Sequence, residues 1–256
     1  MTIEQLLYYW IAFFCIILCR YFLISGAAYW YFYVGKHRTS PSHRSLRSKP
    51  VRWTLMRKDM ELSVGASILF ALCAATITIA SNCGSTLLYL SVDRYGWGYL
   101  IFSYVISLLI QDTYFYFLHR AFHHPKLFKW THLGHHRSGD PTPWTAFAFD
   151  PLEVIMQALF LVAIVYIIPL HYSVIIALLI TMTVWSVWNH LGFELFSSQF
   201  PHHWLSRWFI GPTHHAIHHR KHHLHYGLYF TFWDRLISTH DPLYDDDFVG
   251  VLNIQR

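Results

Sequence analysis

The sequence predicts an all-α integral membrane protein, with about four to five transmembrane or re-entrant helices and a cytosolic, helical, histidine-rich cap. Three observations predict it. First, the 256 residues are 54% hydrophobic and 13% charged, against about 25% charged in soluble domains. Second, the apolar residues gather into runs near the ~20 residues that a ~30 Å bilayer core requires. Third, the chain holds 20 histidines, more than its 19 Lys+Arg or its 14 Asp+Glu. A disordered chain would be polar and charged. A disulfide-stapled secreted domain would need more than four cysteines. The net charge of +5 raises nucleic acid as a partner, but the apolar content argues for no nucleic acid and for the membrane.

The first apolar run extends from Leu6 to Val34, interrupted by Arg20, and is long enough to tilt. Glu4 and the absence of Lys or Arg before the run argue against a cleaved signal. The second run is Leu62 to Ala80. The third is Tyr99 to Leu118, with Gln111 and Asp112 inside it. The fourth and fifth are Leu152 to Ile168 and Tyr172 to Trp188, joined through Pro169, Leu170 and His171 alone. So short a connection predicts an antiparallel hairpin or a re-entrant pair. The organisation is then a first span at 1–35, a basic linker at 36–61 and a membrane-embedded domain at 62–256, whose soluble blocks are 119–151 and 189–240.

The linker sets orientation. It carries Lys36, Arg38, Arg44, Arg47, Lys49, Arg52, Arg57 and Lys58, and the positive-inside bias puts it in the cytosol. Read by itself it is a solvated, partly disordered segment with weak attraction to anionic lipid. Following the spans from there places 119–151 and everything after 189 in the cytosol. No histidine entered that deduction. Yet six histidines fall between 119 and 136, and ten between 190 and 225.

Their spacing is helical. His119 and His123 lie one turn apart, and i, i+3 and i+4 positions share a helix face. His132, His135 and His136 should form one three-imidazole patch. His215, His218 and His219 repeat that spacing, and His190 follows the fifth run directly. Neutral imidazole is the commonest side-chain metal ligand. A single zinc site takes four ligands, so this many imidazoles suit two metals. Imidazole serves Zn, Cu, Fe and Ni alike. The plausible carboxylate among these clusters is Glu194, one helical turn after His190. His37, His43, His171 and His240 read as interfacial bystanders. His222, His223 and His225 read as neighbours of the ligands or of a substrate. Trp144, Phe147 and Phe149 are candidates for an apolar entry route.

The motifs His119-x-x-x-His123, His132-x-x-His135-His136 and His215-x-x-His218-His219, followed by Tyr226-Gly227 and Trp233-Asp234, resemble the sterol desaturase / fatty acid hydroxylase superfamily of membrane-bound non-haem di-iron oxygenases. The resemblance runs from about Asp112 to His240. It implies two iron ions bound by His119, His123 or His124, His132, His135, His136, His190, His215, His218 and His219. His124 competes with His123 because some relatives space the first motif by one more residue. Glu194 and Asp234 are the candidate catalytic carboxylates. Glu194 stands where some relatives carry another histidine, so it either ligates metal or orients His190. Two departures are His225, where an Asn is usual, and Ile237-Ser238-Thr239, where Phe-Gly-Thr is usual.

The implied reaction is O2-dependent hydroxylation or desaturation of a sterol, fatty acyl or related lipid entering from the bilayer. No nucleotide-binding or haem-attachment motif is present. Electrons are therefore expected from an external electron donor, cytochrome b5 or a ferredoxin-type protein. The expected membrane is the endoplasmic reticulum or a bacterial inner membrane, with the site facing the cytosol. The competing reading is a histidine-rich metal-binding or transport protein without oxygenase activity. Transporters hold their ions near the midplane of broken helices, whereas these histidines follow span ends.

Overall fold

The computed structural model describes residues 2–35, 44–197 and 199–244. Lys36, His37, Arg38 and His43 lie outside them. The architecture is helical. Helix α1 (Ile3–Tyr29) continues as a π-turn (Trp30–Val34), and is followed by α2 (Trp53–Asn82) and α3 (Gly96–Phe122). Two short helices, α4 (Pro125–Thr131) and α5 (Leu133–His136), carry the second histidine motif. Helices α6 (Pro151–Ile167) and α7 (Tyr172–Asn189) form the hairpin, and α8 (Pro212–Lys221) and α9 (Phe232–Leu236) complete the cap. Strands β1 (Arg44–Ser45) and β2 (Phe193–Glu194) pair antiparallel, with Arg44 opposite Glu194.

Four helical segments are long and apolar enough to cross a membrane: Ile3–Val34, Trp53–Asn82, Gly96–Phe122 and Tyr172–Asn189. The chain is an integral membrane protein. Helix α6 is apolar but has 17 residues. At ~1.5 Å per residue it reaches only about 26 Å. Its bounds follow from its sequence. Pro151 occupies the first turn, where a missing N–H costs nothing. Pro169 forces Ile168 out of the helical region, at ψ 129°. The hairpin tip is then held from outside, because the Leu87 and Tyr89 amides donate to Val165 O (2.9 Å) and Leu170 O (3.0 Å).

Helix α2 begins at Trp53 rather than near Leu62, so it takes in Arg57, Lys58 and Asp59. The reason is packing. Ser63, Ser67, Ala71 and Ala75 recur every four residues and are fully buried. This small-residue stripe lets α1 and α2 approach closely. Asp59 continues the same buried face. It accepts from Ser138 Oγ (3.0 and 2.8 Å to its two oxygens) and from Thr145 Oγ1 at 2.7 Å. A single carboxylate thus ties α2 to the loop that follows the second histidine motif. Tyr21 of α1 donates to Trp144 O at 2.8 Å, and Ser186 of α7 donates to Ala146 O at 2.8 Å. The loop 137–149 is clamped from three helices.

The basic linker is ordered where it is described, contrary to the expectation of a solvated segment. Arg47 Nη1 donates to Asp140 O (2.7 Å) and Pro141 O (2.8 Å). Asp140 Oδ2 in turn accepts from Ser48 Oγ at 2.7 Å and from the amides of Ser48 and Lys49 at 3.2 and 3.1 Å. Arg220 of α8 donates to Leu46 O. These partners lie about 90 to 170 residues away in the chain, so a composition-based reading has no means to foresee them.

Replacing Asp59 with Leu strands the Ser138 and Thr145 hydroxyls in a buried site. The expected loss is about 2–4 kcal/mol of stability, read as a fall in thermal unfolding temperature of the purified chain in detergent. An unchanged transition would refute the clamp.

Candidate metal centre

The histidines converge as two groups. His119, His123, His132, His136 and His218 form one, and His135, His190, His215 and His219 form the other; within each, one ligand nitrogen per residue lies within 4.8 Å of all the rest. His132, His135 and His136 do not share a patch, as their spacing had suggested. His132 and His136, one turn apart, face the first group, while His135 faces the second. His215 and His219 likewise enter the second group, and His218 the first. Each H-x-x-H-H motif is a divider that serves both groups. Its i, i+4 pair supplies two imidazoles to one group, and its middle histidine crosses to the other.

The approach distances fit metal ligation. Nε2 atoms are separated by 2.9 Å (His119–His132), 3.1 Å (His136–His218), 3.1 Å (His135–His190), 3.0 Å (His190–His215) and 3.1 Å (His215–His219). Nitrogens bound at ~2.1 Å to one ion and at right angles to each other would stand about 3.0 Å apart. The proton positions sharpen the fit. His119 Nδ1 lies 2.9 Å from Tyr226 O. A carbonyl only accepts, so Nδ1 carries the proton and Nε2 presents its lone pair. His132 Nδ1 donates to Glu153 Oε2 at 2.8 Å, so its Nε2 does the same. The two lone pairs then face each other across 2.9 Å, an arrangement that a cation between them relieves. His190 and His218 are fixed in the same way, through Ser186 O at 2.7 Å and Leu224 O at 2.6 Å. His123 Nε2 is buried with no hydrogen-bond partner among the described residues.

Electrostatics keeps the rings neutral and ready to ligate. Burial pushes His132, His135, His136, His215, His218 and His219 well below the ordinary imidazole pKa, and the neighbouring imidazoles push the same way. Burial lowers His190 to about 4.

His124 enters neither group. It caps α4, its Nδ1 accepting from the Lys126 amide at 3.3 Å. Glu194 neither joins a group nor touches His190. Its Oε1 accepts from Phe196 N at 2.8 Å, and its Oε2 accepts from Thr213 N at 3.2 Å and Thr213 Oγ1 at 2.7 Å. The N-cap of α8 is Gly211, which has no side chain with which to accept from the first turn. Glu194 supplies the missing cap from β2, and thereby seats the helix that carries three of the grouped histidines. Burial raises its pKa. Asp234 also stands outside both groups. It accepts from Tyr226 N (2.8 Å), Gly227 N (3.0 Å) and Thr239 Oγ1 (2.8 Å), which fixes the Tyr226 carbonyl against His119. Burial pushes it up to about 6 against those donors. A Cβ at Gly227 would fall 2.4 Å from Phe230 O, so only glycine lets this loop close.

Sequence reasoning missed Glu153, the carboxylate that does touch a grouped imidazole. It is 1% exposed and also accepts from Gln157 Nε2 at 2.9 Å. Its signal was present as the lone acid in an apolar helix. Also missed is a third cluster of His214, His225 and His240, which takes His240 out of the bystanders. His222 lies against the two groups, its ring centre 4.5 Å from that of His136 and its Nε2 3.0 Å from His219 O; His202, His203, His222 and His223 are all exposed.

An apolar cavity opens on the groups. His119, His132, His135, His190 and His215 form its floor, and Phe70, Phe147, Phe149, Phe160 and Leu161 are among its walls. Phe147 and Phe149 thus line it as expected. Trp144 does not; it packs against Tyr21 and Tyr29 of α1. On the other side His219 reaches a cleft of about 410 Å³ lined by Arg47, Lys49, Arg52, Arg137 and Arg220.

Two polyhistidine groups beside an apolar cavity, in a helical membrane protein, are compatible with a metal site. The fatty acid hydroxylase family model matches residues 104–239. The chain belongs to that family, within the sterol desaturase / fatty acid hydroxylase superfamily of oxidoreductases. It is 28% identical over 229 residues to a Delta(7)-sterol 5(6)-desaturase of Gibberella zeae, covering 87% of this chain and 68% of the relative. It is 30% identical over 217 residues to a Delta(7)-sterol 5(6)-desaturase of Aspergillus fumigatus (74% and 66%). It is 36% identical over 142 residues to the lathosterol oxidase of Rattus norvegicus (55% and 46%). The chain thus spans between about half and two thirds of these relatives' lengths. No solved structure matches it.

Substituting Glu153 by Gln weakens the hold on His132 Nδ1. Metal affinity of the five-histidine group is expected to fall about 10–100-fold, with the four-histidine group unchanged. Chelator competition on the purified chain reads both, and equal loss at both groups would contradict the assignment.

Proposed function

We propose that the chain is a membrane-bound di-iron oxygenase that hydroxylates or desaturates a lipid, with a sterol as the substrate its relatives favour. The observation that carries this reading is the opposed lone pairs of His119 and His132, beside a second group of four imidazoles, all at the floor of an apolar cavity. The residues fit two metal ions, one held by His119, His123, His132, His136 and His218, the other by His135, His190, His215 and His219. Bound iron would supply O2 activation and the removal of hydrogen from an unactivated C–H bond.

The chain's own residues do the rest. The aromatic walls admit an apolar substrate from the bilayer side and exclude water from the histidine floor. Tyr226 O, Ser186 O, Leu224 O and Glu153 each hold an Nδ1 proton and so aim the opposite nitrogen inward. Asp234 and Glu194 act as positioning residues, one for the Tyr226 loop and one for α8. Electrons come from a separate donor, cytochrome b5 or a ferredoxin-type protein. The arginine-lined cleft suits its acidic surface, and His219 at the cleft's inner end shortens the path to the second group. The basic linker supports a cytosolic site, in the endoplasmic reticulum or a bacterial inner membrane. Metal transport is the weaker reading, because both groups collect at helix ends and in the cap rather than along a midplane path.

Elemental analysis of the purified chain is expected to find two irons, one per histidine group, and reduced chain should consume O2 in a lipid-dependent way. His135→Ala should abolish turnover. A single zinc, or full activity in His135→Ala, would overturn the reading.

A further inference from the structure

The cavity is apolar, yet a side-chain oxygen beside its histidine floor is left without a partner among the described residues. Asn189, 3% exposed, lines the cavity next to His190. Its Nδ2 donates to Leu228 O at 3.3 Å. That carbonyl can only accept, so the amide orientation is set. Leu228 is itself held, its amide donating to Asp112 Oδ1 at 3.2 Å. Asn189 Oδ1 is then buried with no hydrogen-bond partner among the described residues. Outside the histidines, the other polar side chains of the cavity are committed. Tyr114 donates to Met156 O (2.5 Å), Ser186 to Ala146 O (2.8 Å), and Gln157 Nε2 to Glu153 (2.9 Å). Gln111 accepts from Tyr229 at 3.0 Å. An orphaned buried acceptor carries a desolvation penalty, and a donor arriving with the substrate would remove it.

We propose that Asn189 Oδ1 is a specificity-determining acceptor for a substrate hydroxyl, so that the substrate is a lipid alcohol whose O–H lies close to the carbon that reacts. This inference rests on the oxygenase reading and deepens it. Asn189 adjoins His190 in the chain, and the five floor histidines share its cavity. A hydroxyl held there sits within a few bonds of whatever C–H faces the metals. A plain acyl chain offers no such donor. It would leave Oδ1 unpaired, and a site built around a hydrogen bond rejects the analogue lacking it.

Equilibrium binding to the full chain, loaded with redox-inert Zn(II) in nanodiscs, tests this without turnover. The probes are two pairs, a 3-hydroxysterol with its 3-methyl ether and a 1-O-alkylglycerol with its dimethyl ether. The alcohol of at least one pair is expected to bind about tenfold more tightly than its ether. In Asn189→Ala that alcohol should weaken about tenfold, with the ether unchanged. No preference in either pair overturns the proposal. So does an alcohol affinity that Asn189→Ala leaves intact, since the preference would then be steric. The wild-type comparison stands even if the variant fails to fold. Metal content, measured separately, reports on the oxygenase reading, so failure of one is not mistaken for failure of the other.

Discussion

Two imidazole lone pairs 2.9 Å apart, on His119 and His132, are the constraint around which the rest of the cap is arranged. Left to themselves, neutral imidazoles would rotate or change tautomer until one donated to the other. The chain prevents this at His119, His190 and His218 by giving Nδ1 a carbonyl that cannot donate back, and at His132 by a carboxylate that holds the proton. Every such acceptor then needs its own support. Tyr226 O is held because Asp234 grips the Tyr226 and Gly227 amides. Glu153 is held by Gln157 one turn along α6. Leu224 O lies just beyond the helix whose start Glu194 caps. The scattered buried acids thus form one system whose output is the direction of a few nitrogen lone pairs.

The same system explains why so few charges suffice. A carboxylate buried near a bilayer is costly unless donors surround it. Asp112 meets this condition by accepting from three consecutive amides, Leu228, Tyr229 and Phe230, at 3.2, 2.7 and 3.2 Å. Asp59 meets it with the hydroxyls of Ser138 and Thr145. In each case a membrane helix is joined to a loop of the cap, so the polar cost is turned into registration between the spans and the histidine segments. Hydrophobic contact alone would leave such helices free to slide, because lipid is as apolar as leucine.

Much of this was legible in the sequence. Hydropathy located the spans to within a few residues, save the start of α2. There the small-residue stripe extended the helix back past Asp59 into charged sequence. The spacing of the histidines singled out eight of the residues that the two groups bring together, and the position of His190 directly after the fifth apolar run singled out the ninth. Spacing could not divide them, because a linear motif treated as one helical face has no way to show that His135 turns from His132 and His136. His124 stands outside both groups for a local reason: it precedes Pro125 and caps α4, its Nδ1 accepting from the Lys126 amide. Glu194 was misjudged by proximity in sequence, since its partners are Phe196 and Thr213. Glu153 was passed over because its partner, His132, is 21 residues away, and only the fold brings the start of α6 under the second motif.

On the proposed function, the two histidine groups also separate two incompatible requirements. A lipid needs an apolar approach, and an electron carrier needs a charged one. His119 and His132 of the first group, with His135, His190 and His215 of the second, face the apolar cavity. His219 faces away, toward the arginine-lined cleft. Because His215 and His219 lie one turn apart on α8, a single helix presents the same group to both sides. The repeated H-x-x-H-H spacing thus does more than gather ligands. It sets α8 between an apolar cavity, lined by His215, and an arginine-lined cleft, lined by His219. The orphaned acceptor of Asn189 lies on the cavity side of this helix, where the proposed substrate hydroxyl would meet it.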